Sequence, residues 1–186
     1  MRLIFIALII LTLSICGCAP KISTTRLDNE SLIHVENTMI TLRLPSRWSI
    51  VDSKYNKFIP KGIDQLWVLK SSYDNLMYPR ISISTYKGKE YSKNIEAILQ
   101  SEKDTEDFIR MAMLKVQNGG PIDEIKIMSR SGEIEYIIVS RKNPDSNIDE
   151  RMFVRFLIFG TTVVELNYTD RVSGFSEYTA DFYKMY

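Results

Sequence analysis

The stretch RMFVRFLIFGTTVVELNYT, residues 151–169, decides the fold of this 186-residue chain. Its first part, 151–159, predicts a strand with apolar residues at both sets of alternating positions, and such a strand is central and covered on both sides. Gly160–Thr161 predicts a tight turn into a second strand over 161–168. The side chains of the first strand divide between two faces, with Met152, Val154, Phe156 and Ile158 on one and Phe153, Leu157 and Phe159 on the other.

Alternating or short apolar runs predict five more strands along the chain. In one of them the isoleucines at positions 81 and 83 are expected to face inward, and the serines at 82 and 84 outward. Ser131–Gly132 predicts the hairpin turn that joins the last two strands. The five predicted ranges are 40–44, 65–71, 80–86, 122–130 and 133–141.

Two regions carry apolar residues at helical spacing. Residues 92–117 predict either one long helix with a polar middle or two helices with a joint, and the sequence NGGP at 118–121 ends this region. The apolar positions of 175–186 predict a terminal helix that reaches the last residue. Together with the strands, these elements predict an α+β fold in which an antiparallel sheet is covered by helices on both faces.

The first 18 residues, MRLIFIALIILTLSICGC, have the layout of a secretory signal, with the basic residue Arg2, an apolar run and small residues at its end. The apolar run is shorter than the ~20 residues that a spanning helix needs. Its end resembles a bacterial lipobox, in which Cys18 follows the small residue Gly17. The rival frame, ending at Cys16, places the bulky Ile15 at the cleavage site, so Cys18 is the predicted lipidation site.

This resemblance implies that the chain is cut before Cys18 and held at the bilayer by acyl chains on that residue. The predicted organisation is a lipoprotein signal peptide at 1–17, a tether at 18–32 and a single α+β domain at 33–186. Ala19, after the acylated cysteine, implies the outer membrane facing the periplasm if the organism has two membranes. A disulfide or a metal site at the two cysteines is disfavoured, because they are too close for easy bridging and further ligands are not nearby.

The charges of the chain nearly balance, with 24 lysines and arginines against 23 aspartates and glutamates. The sequence contains no long basic or acidic block. This argues against nucleic-acid binding, which needs a basic face, and against a polybasic membrane patch. The sequence therefore predicts no nucleic-acid partner. Contact with the bilayer is expected through acylated Cys18 and not through basic side chains.

Few residues are candidates for catalysis or metal binding. His34 is the only histidine, and no nucleophile motif accompanies it, so a surface or strand-edge position is expected. The loop DSNIDE, 145–150, begins like a calcium-binding loop but has Glu150 where that loop needs glycine and Phe156 where it needs glutamate. A polar hairpin loop is therefore favoured, and we predict no catalysis, no metal and no cofactor.

Carboxylates on two neighbouring strands and two tryptophans are weaker candidates. Trp48 and Trp67 are able to stack on a sugar, but their positions after a strand-ending proline and inside an apolar strand favour core packing. The carboxylates lie at predicted outward positions and are interpreted as solvated strand faces, not as an acid–base pair. They are Asp123, Glu124, Glu133 and Glu135.

The link SYDNLMYP, residues 72–79, contains four large apolar or aromatic side chains where a loop needs only polar residues and glycine or proline. Two explanations remain open. Either these side chains fold back over the edge of the sheet, or they form an exposed contact for a protein partner, since tyrosine and methionine are enriched in interface cores. The four residues are Tyr73, Leu76, Met77 and Tyr78.

The order of elements resembles the α/β/α sandwich of PsbP-like proteins, which DcrB-type bacterial lipoproteins and a eukaryotic Ran-binding import factor share. The resemblance is carried by ITLRLPSRW (40–48), YPRISIST (78–85), VRFLIFGTTVVELNYT (154–169) and FSEYTADFYKMY (175–186). It implies a binding or assembly factor without catalysis. Photosynthetic members bind metal through histidine and carboxylates, and this sequence contains no matching cluster.

The sequence thus favours a cell-envelope lipoprotein whose domain binds another envelope protein. Three alternatives remain. One is a small-molecule or glycan-binding module, a second is an immunity or inhibitor lipoprotein against a periplasmic toxin, and a third is a hydrolase. The hydrolase is the weakest, because a nucleophile and base cannot be assigned.

Overall fold

The computed structural model describes residues 21–51, 63–70, 78–116, 121–143 and 146–186. The predicted signal peptide, Cys18 and three of the four predicted contact residues lie outside these ranges. The described residues form ten strands and three helices. In chain order these are β1 Ile22–Arg26, β2 Glu30–Val35, β3 Thr41–Pro45, β4 Trp48–Ile50, β5 Gln65–Leu69, β6 Arg80–Lys87, α1 Lys89–Ile98, α2 Glu102–Val116, β7 Ile122–Arg130, β8 Glu133–Lys142, β9 Asp149–Phe159, β10 Thr162–Arg171 and α3 Thr179–Tyr183.

Most of the strands form one antiparallel sheet of seven, in the order β4-β5-β6-β10-β9-β8-β7, and β1-β2-β3 form a second, smaller sheet. The predicted hairpin is confirmed, because β9 and β10 pair from Phe159–Thr162 to Glu150–Arg171. β9 lies between β10 and β8, as expected for a strand that is apolar on both faces. The α+β class with antiparallel sheets is therefore correct.

One face of the large sheet is covered by α1 and α2. Their apolar residues pack against the set of β9 side chains that includes Met152 and Val154. The two helices are separated at residues 99–101, where the Ser101 hydroxyl accepts a hydrogen bond from the backbone N–H of Asp104 at 3.3 Å and caps α2. Of the two predicted alternatives, the pair of helices with a joint is correct.

The opposite face is covered mainly by the small sheet and only by one short helix, α3. The expectation of helices on both faces is therefore met only in part, because the small sheet supplies most of the cover on this face. The terminal segment forms turns before α3, and its large apolar side chains pack against the sheet from these turns as well as from the helix. The predicted helix over 175–186 is therefore shortened to five residues. Its buried apolar residues are Phe175, Phe182 and Met185.

The small sheet also corrects the predicted tether at 18–32. β1 pairs with β2 from Ile22–Val35 to Arg26–Ser31, so the chain is part of the fold from Ile22 onward. The sequence pattern did not reveal β1 because only one of its residues, Ile22, packs against the core. Its other residues are polar or β-branched and fit an edge strand that faces water.

Two further predictions concern single positions. Ser82 and Ser84, expected to face outward, are buried, because α1 packs near β6 and β10 on that face. Trp48 and Trp67 are core residues, as predicted, with exposures of 1% and 0%. The Trp48 indole N–H donates to Asp181 of α3 at 2.8 Å, which ties the start of β4 to the terminal segment.

Within the described residues, no helix is long and apolar enough to cross a membrane.

Candidate functional site

The large sheet divides at one end between β8 and β9. These strands pair from Lys142–Asp149 to Ile137–Val154, and the register ends there. Beyond this point β9 keeps its pairing with β10 on the far side, while β8 keeps its pairing with β7. The two diverging ends are the walls of a gap in an otherwise continuous sheet, which we call the fork cleft.

A bulge in β8 explains the divergence. Met128 of β7 pairs with Tyr136, but the next residue, Ser129, pairs with Ile134, so Glu135 is an extra residue in β8. A bulge bends its strand and increases the local twist. The β7–β8 hairpin therefore turns away from β9.

The fork cleft has a volume of about 510 Å³. β9 contributes one wall, the β7–β8 hairpin another, and Ile40 and the terminal Tyr186 approach from the side of the small sheet. The complete lining is Ile40, Arg130, Ser131, Glu133, Ile134, Glu135, Arg155, Phe156, Leu157, Ile158, Phe159 and Tyr186.

Within the described residues, the backbone of β9 beyond Val154 presents a free edge to this cleft. In an antiparallel ladder, alternate residues direct both N–H and C=O to the same neighbour. Phe159 and Thr162 flank a two-residue turn and therefore bond to each other, and at the far end the N–H of Val172 donates to the carbonyl of Asp149 at 3.0 Å. Odd-numbered residues of β9 thus face β10. Phe156 and Ile158 face the cleft, and both lie beyond Val154, the last residue of β9 that pairs with β8.

The cleft leaves large apolar side chains in contact with water. Phe159 is 38% exposed, and Phe156 and Ile158 are half-buried, although all three belong to a central strand. By contrast Phe153, where β8 is still paired, is 5% exposed. The prediction that β9 is covered on both sides is therefore correct as far as Leu157 on one face. It is wrong for the end of the strand, where β8 no longer pairs with β9.

Charged side chains of both signs line the cleft without pairing to each other. Arg155 lies over the ring of Tyr186, with 5.5 Å from its guanidinium carbon to the ring centroid. Within the described part of the chain, no ion pair is found for Arg155, Arg130, Glu133 or Glu135. Glu133 and Glu135 are two of the carboxylates considered from the sequence, and the structure places both at the cleft wall.

The opposite end of the large sheet is closed by a buried polar cluster around Glu150, which is 0% exposed. Its carboxylate accepts hydrogen bonds from Arg141, Tyr78 and Asn143, and Arg80 lies 3.7 Å from it. Burial alone would raise the pKa of Glu150, but the Tyr78 hydroxyl and the two arginines outweigh that effect and hold the pKa below its usual value. The cluster locks the loop end of β8 and β9 together.

This cluster decides the position of one predicted contact residue. Tyr78 is 4% exposed and its hydroxyl donates to Glu150, so its side chain belongs to the interior and is not available as a surface contact. The exposed-contact hypothesis is therefore wrong for Tyr78, because the polar cluster draws its side chain inward. Tyr73, Leu76 and Met77 lie outside the described residues.

The remaining candidates form no catalytic set. His34 lies in the middle strand of the small sheet, not at a strand edge, and its Nδ1 is 3.2 Å from the Thr41 hydroxyl. In the loop 145–150 the Glu150 carboxylate is engaged by Arg141, so it cannot serve as a calcium ligand there. Within the described residues, no group of three histidine, cysteine, aspartate or glutamate side chains is placed to hold a metal.

A half-buried carboxylate, Glu165, lies beneath α1. Glu165 accepts a hydrogen bond from the Tyr86 hydroxyl at 3.0 Å, and the Tyr86 ring packs on Tyr91 with centroids 5.0 Å apart. Burial raises the pKa of Glu165, and the hydrogen bond from Tyr86 offsets only part of that effect. Because the tyrosine that donates to it packs on Tyr91 of α1, we assign Glu165 to the packing of α1 on the sheet.

Comparison with known proteins finds similarity in overall structure only. No protein-family model matches the chain, and no curated protein matches it. A cyanobacterial PsbP protein, CyanoP from Synechocystis sp. PCC 6803, covers 90% of this chain and 92% of its own at 11% identity, with a TM-score of 0.48. A Pseudomonas aeruginosa protein of unknown function, PA94, covers 87% of this chain and 90% of its own at 9% identity, with a TM-score of 0.34.

The first of these is a PsbP protein, the class that the sequence resembles. At these identities and scores the similarity transfers no function and no site residue to this chain.

Proposed function

We propose that this chain is a lipid-anchored cell-envelope protein that binds a protein partner through the fork cleft and performs no chemistry. The observation that carries the proposal is the free edge of β9 beside the exposed or half-buried Phe156, Ile158 and Phe159. The anchor is the acylated Cys18 that the lipobox resemblance implies, with the outer membrane as the expected location in an organism with two membranes.

Free strand edges are usually protected, because they offer unpaired backbone groups to any other chain. One of the two outer strands of the large sheet, β7, follows this rule, since it carries Glu124 and Lys126 and its pairing is interrupted by bulges. The β9 edge in the cleft instead combines backbone groups with apolar side chains. An unprotected edge of this composition suits a binding surface.

The composition of the cleft supports binding more than catalysis. Its lining contains carboxylates, arginines and one serine hydroxyl but neither histidine nor cysteine. Ser131 lies in the β7–β8 turn with a φ of 55°, and no hydrogen bond links it to a base among the described residues. An activated nucleophile needs such a base within hydrogen-bond reach.

Burial of the tryptophans weakens the glycan-binding alternative. That alternative relied on tryptophan and tyrosine side chains in a groove, and both tryptophans, Trp48 and Trp67, are packed inside the core. The immunity or inhibitor alternative names a protein partner and falls within the proposed class.

The proposal is tested by site-specific photocrosslinking in the source bacterium. A photoreactive phenylalanine at Phe159, inside the cleft, is compared with one at Val172, which is 43% exposed at the other end of the sheet. We expect a discrete adduct from position 159, found in the membrane fraction and abolished by the added substitution Ile158→Lys, and none from position 172. The absence of an adduct at 159, or equal adducts at both positions, would contradict the proposal.

A further inference from the structure

Resting on the proposed function, we infer that the occupant of the fork cleft is an extended segment of the partner protein, which adds as an antiparallel strand to the free edge of β9. Its backbone pairs with Phe156 and Ile158, and an acidic side chain of the segment meets Arg155. The segment occupies the place that β8 would fill if its ladder with β9 continued beyond Ile137–Val154.

The β9 edge is a better template than the β8 edge on the other wall. β9 pairs with β10 without interruption up to Phe159, so its free N–H and C=O groups keep regular spacing. β8 contains the bulge at Glu135, which breaks that spacing. The backbone N–H and C=O groups of Phe156 and Ile158 point into the cleft. They offer two donors and two acceptors, the main-chain pattern that strand addition uses.

The side chains of β9 define what the segment carries. Residues directly opposite each other in an antiparallel pair place their side chains on the same face. Positions opposite Phe156 and Ile158 therefore meet the apolar side chains of those residues, and β-branched apolar residues fit there. The position opposite Arg155 meets a guanidinium that lies over the Tyr186 ring and has no ion pair among the described residues.

The length of the free edge limits the segment. Residues 155–159 span roughly 14 Å at the usual rise of a strand, which corresponds to four or five residues of the partner. Because the segment runs antiparallel to β9, its first residue lies opposite Ile158 and its fourth lies opposite Arg155. From first to fourth, these residues are apolar, small or polar, apolar and acidic. A flexible terminus or a loop of a folded partner is able to supply such a segment.

The test uses a blocked synthetic peptide, Ser-Val-Thr-Val-Glu-Ser, titrated into the protein and followed by NMR. Both valines direct their N–H to β9, whereas the N–H of the threonine between them points away. We expect N-methylation of a valine to weaken binding by about tenfold or more, and N-methylation of the threonine to change it little. Replacing the glutamate by lysine is expected to weaken binding to the parent protein and to strengthen binding to the variant Arg155→Glu.

Equal affinity of the valine-methylated and threonine-methylated peptides would overturn strand addition, as would failure of the parent peptide to bind. Neither result would affect the crosslink expected at Phe159, which tests the proposed function. The peptide experiment therefore tests strand addition alone, and the crosslinking experiment tests binding at the cleft alone.

Discussion

At the scale of single residues, the Arg141–Glu150 pair is the contact on which the closed end of the sheet depends. The two side chains are 2% and 0% exposed. Arg141→Met leaves the Glu150 carboxylate buried without its main partner, and we expect a loss of about 3–5 kcal/mol in the free energy of unfolding, measured with urea. Arg80→Met is the control, because Arg80 is 23% exposed and lies 3.7 Å away, and a loss of about 1 kcal/mol is expected. Equal losses would contradict this account.

Glu165 predicts a dependence of stability on pH. Because burial raises the pKa of Glu165 in the folded state, the folded protein binds a proton more tightly than the unfolded chain. The stabilisation from protonated Glu165 is fully present below the pKa of this residue in the unfolded chain, about 4.3. It is lost as the pH rises through the pKa of Glu165 in the folded protein.

Glu165→Gln removes the loss of folding stability that ionisation of Glu165 causes, because glutamine does not ionise. Its side-chain oxygen still accepts the hydrogen bond from Tyr86. We expect the variant to melt at a higher temperature than the parent at pH 7 and at a similar temperature near pH 4. A lower melting temperature of the variant at pH 7 would show that Glu165 stabilises the fold as a carboxylate.

Lipidation is a prediction about one atom, the sulfur of Cys18. Cys18→Ser should leave an unprocessed or soluble precursor that takes up no radiolabelled fatty acid, whereas Cys16→Ser should still be labelled. The reason is that Gly17, not Ile15, has the small side chain that the cleavage site needs. Label that persists in Cys18→Ser would refute the assignment.

At the scale of elements, β9 is the strand that separates the two cores, and its covering changes along its length. Phe153 packs against Phe175 with ring centroids 4.6 Å apart, and Phe153→Ala should cost about 3–5 kcal/mol. Phe156 is half-buried at the cleft, and Phe156→Ala should cost only about 1 kcal/mol. Urea unfolding measures both. A larger loss at Phe156 would mean that the cleft is closed in solution.

The elements with strong internal patterns were predictable from sequence. β9 and β10 show alternation and a turn signal. The polar stretch at 101–107 left both one long helix and two helices open, and the structure has two. The terminal segment was predicted as a helix because its aromatic residues recur at helical spacing, yet tertiary docking of each ring replaces most of that helix with turns. β1 was missed because strand pairing with β2, not its own apolar residues, holds it in place.

At the scale of the whole molecule, the large sheet has two unlike ends. One end is closed by the buried cluster of Glu150, and the other opens between β8 and β9. Phe156 lies six positions beyond Glu150 in β9, roughly 20 Å along the strand. The domain therefore has a rigid end and an end with unpaired backbone, and the second is the one suited to binding.

The fork cleft was only partly visible in the sequence. The strands, the apolar Phe156 and the carboxylates Glu133 and Glu135 were all recognised, but their meeting at one gap depends on the register between β8 and β9. One signal was present: in EIEYIIVSR the alternation is interrupted, because Ile134 and Ile137 share a face although they are three positions apart. Such a shift of phase indicates a bulge.

Amide hydrogen exchange of the free protein, resolved residue by residue by NMR, tests the open edge of β9 most directly. If β8 leaves this edge free, the N–H groups of Phe156 and Ile158 exchange about a hundredfold faster than those of Leu157 and Phe159, which are bonded to β10. Addition of the blocked peptide then slows the two fast amides only. Comparable protection of all four amides in the free protein would show that β8 covers the edge and would contradict the proposed binding site.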